Sequence, residues 1–90
     1  MVKKYFKITN EAGIHARPAT TLVNEAMKYE CEILLAALKK SVDFKSIMGV
    51  MSLGVYSGTI VEISCDGEDE VEALEAISNK LFELKLGKEV

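Results

Sequence analysis

His15, the only histidine in the 90-residue chain, stands two residues before Arg17 in the run Gly13-Ile14-His15-Ala16-Arg17-Pro18. A neutral imidazole nitrogen is a nucleophile near pH 7. The neighbouring guanidinium is a permanent cation that can hold phosphate oxygens in pairs. Both residues fall at the mouth of a predicted helix. Pro18 suits its first turn, where a missing N–H costs nothing. Ala16, Ala19, Leu22, Val23, Ala26 and Met27 then recur at helical spacing. A helix N-terminus offers unpaired N–H groups and partial positive charge. Such a site can accept a phosphoryl group and hold its charge. The plainer alternative is a lone surface histidine with no chemical role.

A second signal is Ser46-Ile47-Met48-Gly49-Val50-Met51-Ser52-Leu53. Ser46 reads as the N-cap of a short helix, Ile47 to Leu53, that Gly54 ends. Its five large apolar residues circle more than half of the helix, so one sheet cannot cover them all. Some of Ile47, Met48 and Met51 are expected at the surface, where methionine-rich patches serve as docking sites. Lys45-Ser46 is by itself only a weak phosphorylation signal. The cluster Asp66, Glu68, Asp69, Glu70 and Glu72 reads as a dipole-matched helix start, with Asp69 and Glu72 in a capping-box arrangement. Its spacing is not that of a calcium loop.

Other chemistries fare worse. One histidine cannot supply a zinc ligand set, and no serine and carboxylate are spaced around His15 as a hydrolytic triad. Cys31 and Cys65 read as free, buried thiols, although Cys31 with His15 is a conceivable nucleophile pair.

These residues need a scaffold. Val2 to Thr9 reads as a half-buried strand with Phe6 and Ile8 on one face, and Lys4 breaks the alternation. Asn10 to Gly13 is a turn by composition. Ile33 to Leu38 has helical propensity, yet a further long helix would leave no sheet, so strands are expected near 32–37 and 40–44. The turn between them lacks Asn-Gly. Thr59 to Asp66 alternates with Val61, Ile63 and Cys65 inward. Val71, Leu74, Ile77 and Leu81 form the stripe of a last helix ended by Gly87. The order β-α-β-β-short α-β-α implies an antiparallel sheet with helices on one face.

Size and charge narrow the classes further. Area scaling for this length gives roughly 5,200 Å² folded against about 14,000 Å² unfolded, enough for one core and two layers. A dinucleotide-binding fold or a barrel enzyme does not fit. With 49% apolar and 28% charged residues the chain is globular, and a net charge of −3 argues against direct nucleic-acid binding. No apolar run could span a membrane and no leader follows Lys3, Lys4 and Lys7, so a cytoplasmic location is expected.

The runs Gly13-Ile14-His15-Ala16-Arg17-Pro18-Ala19 and Lys45-Ser46-Ile47-Met48-Gly49-Val50-Met51-Ser52-Leu53-Gly54 resemble the HPr family. These are the histidine-containing phosphocarrier proteins of the bacterial phosphoenolpyruvate-dependent sugar phosphotransferase system. The likeness runs from Phe6 to Gly87. It implies an α+β two-layer open-faced sandwich formed by residues 1–90 as a single domain. Its four-stranded antiparallel sheet would run in the order 1-4-2-3, with three helices on one face. His15 would take a phosphoryl group on Nδ1 from phosphorylated Enzyme I and pass it to an Enzyme IIA domain, with Arg17 steadying the phosphate. Ser46 would be the regulatory serine of an ATP-dependent HPr kinase/phosphorylase. Ala16, Thr20, Ile47, Met48 and Met51 would dock Enzyme I, Enzyme IIA and the catabolite-control repressor. The family is a monomeric carrier, not an enzyme, and needs no cofactor or metal. A regulatory relative lacks the phosphorylatable histidine, which this chain has. Relatives usually carry Asn-Gly where this chain has Leu38-Lys39-Lys40, and cysteines are not a family feature.

Overall fold

The computed structural model describes residues 1–90. The strands are β1 (Val2–Ile8), β2 (Glu32–Ala37), β3 (Lys40–Asp43), β4 (Ile60–Asp66) and β5 (Gly87–Glu89); the helices are α1 (Ala16–Ala26), α2 (Ile47–Ser52) and α3 (Glu70–Glu83). The strands form one sheet in the order β3-β2-β4-β1-β5, antiparallel at every pairing. The three helices cover one face. Phe6 and Ile8 of β1, Ile33 and Leu35 of β2, and Val61, Ile63 and Cys65 of β4 point into that layer, each no more than 1% exposed. They meet Leu22, Val23 and Ala26 of α1, Val50 of α2, and Ile77 and Leu81 of α3 in one continuous core. Full burial stabilises each large aliphatic side chain by roughly 1.5–3 kcal/mol, so this seam fixes where the helix ends can lie. The accessible surface is 5167 Å², as expected for the chain's size.

The apolar run Glu32–Ala37 is a strand because it lies inside the sheet, hydrogen-bonded to β3 on one side and β4 on the other. Lys4 does not break the β1 alternation. It shares the inward face with Phe6 and Ile8 and is half-buried at the margin, beside Phe82 in a hollow between β1 and α3. A long lysine can cover apolar surface with its stem there while its ammonium stays wet.

Several expectations fail at the helix ends. Gly87 does not end α3. The helix stops at Glu83, with Leu84 as C-cap and Lys85 turned to a positive φ of 56°. Leu86 is then buried, and Gly87 starts β5. A Cβ on Gly87 would collide with the Lys7 carbonyl oxygen, so glycine permits β5 to close on β1. The sheet therefore has five strands rather than four. Val71 is 63% exposed; the buried face of α3 is Ala73, Leu74, Ile77, Ser78 and Leu81. The capping box from Asp69 to Glu72 does not form. Glu70 instead accepts from the Gly67 N–H at 3.0 Å, and Asp69 reaches across to accept from the N–H groups of Glu30 and Cys31 at 2.9 and 3.0 Å.

The turn after β2 is a two-residue hairpin, with Ala37 paired to Lys40. Leu38 and Lys39 both have positive φ, 52° and 68°. Tight hairpins of the type I′ class impose that conformation, and Asn-Gly adopts it with little strain. Replacing both residues, Leu38→Asn with Lys39→Gly, is expected to stabilise the fold by about 1–2 kcal/mol. That raises the thermal midpoint by roughly 4–16 °C for a domain of this size. Calorimetry of the double variant checks it; an unchanged or lower midpoint would show that the turn is not strained.

Candidate functional site

His15 is the N-cap residue of α1, in extended conformation at φ −102° and ψ −176°. Its carbonyl accepts from the Ala19 N–H at 3.0 Å and so closes the first turn. Its imidazole caps nothing and is exposed. Pro18 occupies the third helical position with its ring buried, removing one N–H that no helical carbonyl could have met. The N–H groups of Ala16 and Arg17 remain without helical acceptors. Arg17 is exposed, and each of the five ion pairs in the molecule lies elsewhere. Imidazole, guanidinium and two free amides thus share one end of α1.

The loop that carries His15 is fastened on two sides. Gly13 has φ +67°, and a Cβ there would run into the Val55 carbonyl oxygen and the Tyr56 Cα. The next residue, Ile14, is buried and donates its N–H to the Val55 carbonyl at 3.1 Å. On the other side Leu86 accepts from the N–H groups of Thr9 and Asn10 at 2.8 and 3.2 Å. The Asn10 side chain then spans the turn, donating from Nδ2 to the Gly13 carbonyl at 2.9 Å, while Gly13 returns its N–H to the Asn10 carbonyl at 2.9 Å. The sequence marks Asn10 as the start of a turn but assigns its side chain no role. An asparagine three residues before a glycine was the available signal.

The segment fastened to the loop, Val55 and Tyr56, directly follows α2, and α1 and α2 are in contact. Ser46 caps α2 as expected, its Oγ accepting from the Gly49 N–H at 3.0 Å. Val50 and Leu53 are buried, whereas Ile47, Met48 and Met51 are 40%, 79% and 37% exposed. Ala16 and Thr20 are also exposed, and the Thr20 hydroxyl donates to the Ala16 carbonyl at 2.9 Å. All five residues of the expected docking patch are therefore accessible. Lys45 is engaged elsewhere, its Nζ donating to the Tyr29 carbonyl.

The cysteines lie apart from this site. Both are buried, beside one another under Asp69. Burial pushes the Cys65 thiol up to about 12, and burial likewise raises Cys31. Neither is a thiolate near neutrality, so the pairing of Cys31 with His15 as nucleophiles fails. Asp69 is held below the usual carboxylate range chiefly by the Glu30 N–H. A carboxyl depressed on folding stabilises the fold above its unfolded value, and that contribution is lost as pH falls through the folded one.

None of the three surface hollows is lined by His15, Arg17 or the α2 patch, and no group of three or more His, Cys, Asp or Glu side chains is placed to hold a metal ion. The His15 imidazole therefore stands on the open surface and not in a cleft.

Residues 2–83 match the family model described as the PTS HPr component phosphorylation site. The histidine-containing phosphocarrier protein of Mycoplasma is 37% identical, with a TM-score of 0.94 over 96% of this chain and 98% of its own. HPr of Thermoanaerobacter tengcongensis is 44% identical, with a TM-score of 0.87 over 94% of each chain. Crh, a catabolite-repression protein of Bacillus subtilis, is 41% identical, with a TM-score of 0.73 over 92% of this chain and 95% of its own. The five-stranded sheet and three helices are the HPr fold with a short extra strand, and the chain belongs to the HPr family of the phosphotransferase system, whose phosphocarrier proteins are carriers and not enzymes.

Proposed function

We propose that this chain carries phosphoryl groups on His15 as a single monomeric domain in the cytoplasm, receiving them from phosphorylated Enzyme I and delivering them to Enzyme IIA domains. The observation that carries this reading is the unencumbered His15 imidazole at the N-terminus of α1, beside the free Arg17. In the first transfer the phosphorus–nitrogen bond on Enzyme I breaks as one forms to His15, and the second transfer reverses the roles. The amides of Ala16 and Arg17 and the Arg17 guanidinium meet the phosphate charge. An exposed helix N-terminus stabilises an anion by only about 0.3–1 kcal/mol. That suits a carrier, which must hold the group and still release it. Ser46 is the regulatory phosphorylation site for an HPr kinase/phosphorylase. Ala16, Thr20, Ile47, Met48 and Met51 form the docking surface, which the catabolite-control repressor also uses.

Incubation with Enzyme I and phosphoenolpyruvate tests the proposal. The intact mass should rise by one phosphoryl group that is acid-labile and sensitive to hydroxylamine. The likeness to Crh favours a second reading, a regulatory module that uses Ser46 and the α2 patch alone. A chain that stays unphosphorylated in this assay but binds the repressor after Ser46 phosphorylation would support that reading instead.

Arg17 has its effect on transfer and not on the fold. It is exposed and unpaired, so Arg17→Ala should move the thermal midpoint by only a few degrees. A charge-assisted contact to phosphate contributes about 1.5 kcal/mol, which corresponds to a roughly tenfold slower transfer. Stopped-flow transfer from phosphorylated Enzyme I measures it; unchanged kinetics would remove Arg17 from the site.

A further inference from the structure

Two hydrogen bonds join Leu86, just beyond α3, to the start of the turn before His15, and two more close that turn; all four converge on or beside Asn10. Leu86, buried beyond α3, accepts from Thr9 and Asn10 through its carbonyl, so the first residue of the turn is anchored to the core. Asn10 then closes the turn twice, from its carbonyl to the Gly13 N–H and from its Nδ2 to the Gly13 carbonyl, both at 2.9 Å. Beyond Gly13 the chain is pinned again at Val55, and the next free residue is His15. The Nδ2 bond is the only link in this path made by a side chain. It satisfies a carbonyl that no other group meets, in a turn whose glycine sits at φ +67° against the Val55–Tyr56 backbone.

We propose that Asn10 is a positioning residue for His15: its amide holds the turn so that the imidazole is presented in one geometry to both donor and acceptor. The inference rests on the carrier reading above. A reacting group displaced by about 1 Å can cost up to a hundredfold in rate, because reaction then waits on rare near-attack geometries. Docking is made by other residues, on α2 and the exposed side of α1. Loss of the brace should therefore lower turnover of the chain as a substrate and leave its apparent affinity alone.

The test compares Asn10→Ala, which removes the amide, with Asn10→Asp, which keeps its shape but cannot donate. Phosphorylation by Enzyme I should show kcat reduced by about five- to tenfold in both variants, with KM within about twofold of the parent chain. Amide exchange at Gly13 should quicken by about tenfold while the core of the sheet stays protected. Thermal midpoints are recorded alongside, so that a kcat loss that merely follows unfolding is recognised and counts against the proposal. Full kcat in Asn10→Asp, or a rise in KM at constant kcat, overturns it. If the parent chain takes no phosphate at all, the carrier reading fails separately. The exchange at Gly13 then decides whether Asn10 holds the turn: slow exchange in the variants overturns the brace.

Discussion

His15→Ala should fold as the parent chain does and accept no phosphate from Enzyme I. The folding half follows from what the imidazole does not do. It is exposed, makes no capping bond and sits on extended backbone that alanine adopts freely. Exposed positions without such roles change stability by no more than about 0.5 kcal/mol, or roughly 2–4 °C in the midpoint. The chemical half follows from the absence of a substitute. There is no second histidine, and the two thiols are buried and protonated at neutral pH. The neighbouring anion-binding features survive in the variant, so a positive helix end alone is expected to bind phosphate weakly and never covalently. Intact-mass spectrometry after incubation with Enzyme I and phosphoenolpyruvate reads both possibilities. Stoichiometric label on the alanine variant would place the acceptor elsewhere and end the carrier proposal in its present form.

The features of this site differ in how far they depend on tertiary structure. The helix mouth at His15 was legible because its signals are local: a proline in the first turn and an apolar stripe behind it. Ser46 was legible for the same reason, since an N-cap acts on a neighbour three residues away. Exposure on α2 could be argued by geometry, because a helix apolar on most sides cannot be covered by one sheet. Strand β5 had no such signal. Gly-Lys-Glu shows no alternation, and the strand forms because Leu86 is buried just before it and Gly87 lets the backbones approach. Asp69 looked like a cap by spacing, but a partner 39 residues away takes its carboxylate. Leu38 and Lys39 were forced to positive φ by the register on either side of them. The bracing of the His15 loop also joins segments distant in sequence, Leu86 and Val55, so only the folded chain reveals it.

Ser46→Asp should separate stability from signalling at the second site. Ser46 Oγ accepts from the Gly49 N–H, and aspartate is as good an N-cap as serine. Its charge also lies at the positive end of a helix, worth up to about 1 kcal/mol at low salt. The thermal midpoint should therefore hold or rise slightly. The same charge stands at the edge of Ile47 and Met48, which are exposed and apolar. A partner docking there must strip water from the carboxylate, which the apolar surface cannot compensate. Where the partner's surface is acidic, repulsion adds to that cost. A penalty of about 2 kcal/mol at such an interface corresponds to a roughly thirtyfold slower acceptance of phosphate on His15. A phosphoserine carries close to twice the charge and should act more strongly. Ser46→Ala is the converse control. It loses the cap and about 1 kcal/mol of stability, yet leaves the patch uncharged and should accept phosphate at the parent rate. Both variants are measured for midpoint and transfer on the same preparations. If Ser46→Asp transfers at full rate, Enzyme I docks elsewhere; if transfer falls in Ser46→Ala in step with its midpoint, Ser46 is only a cap.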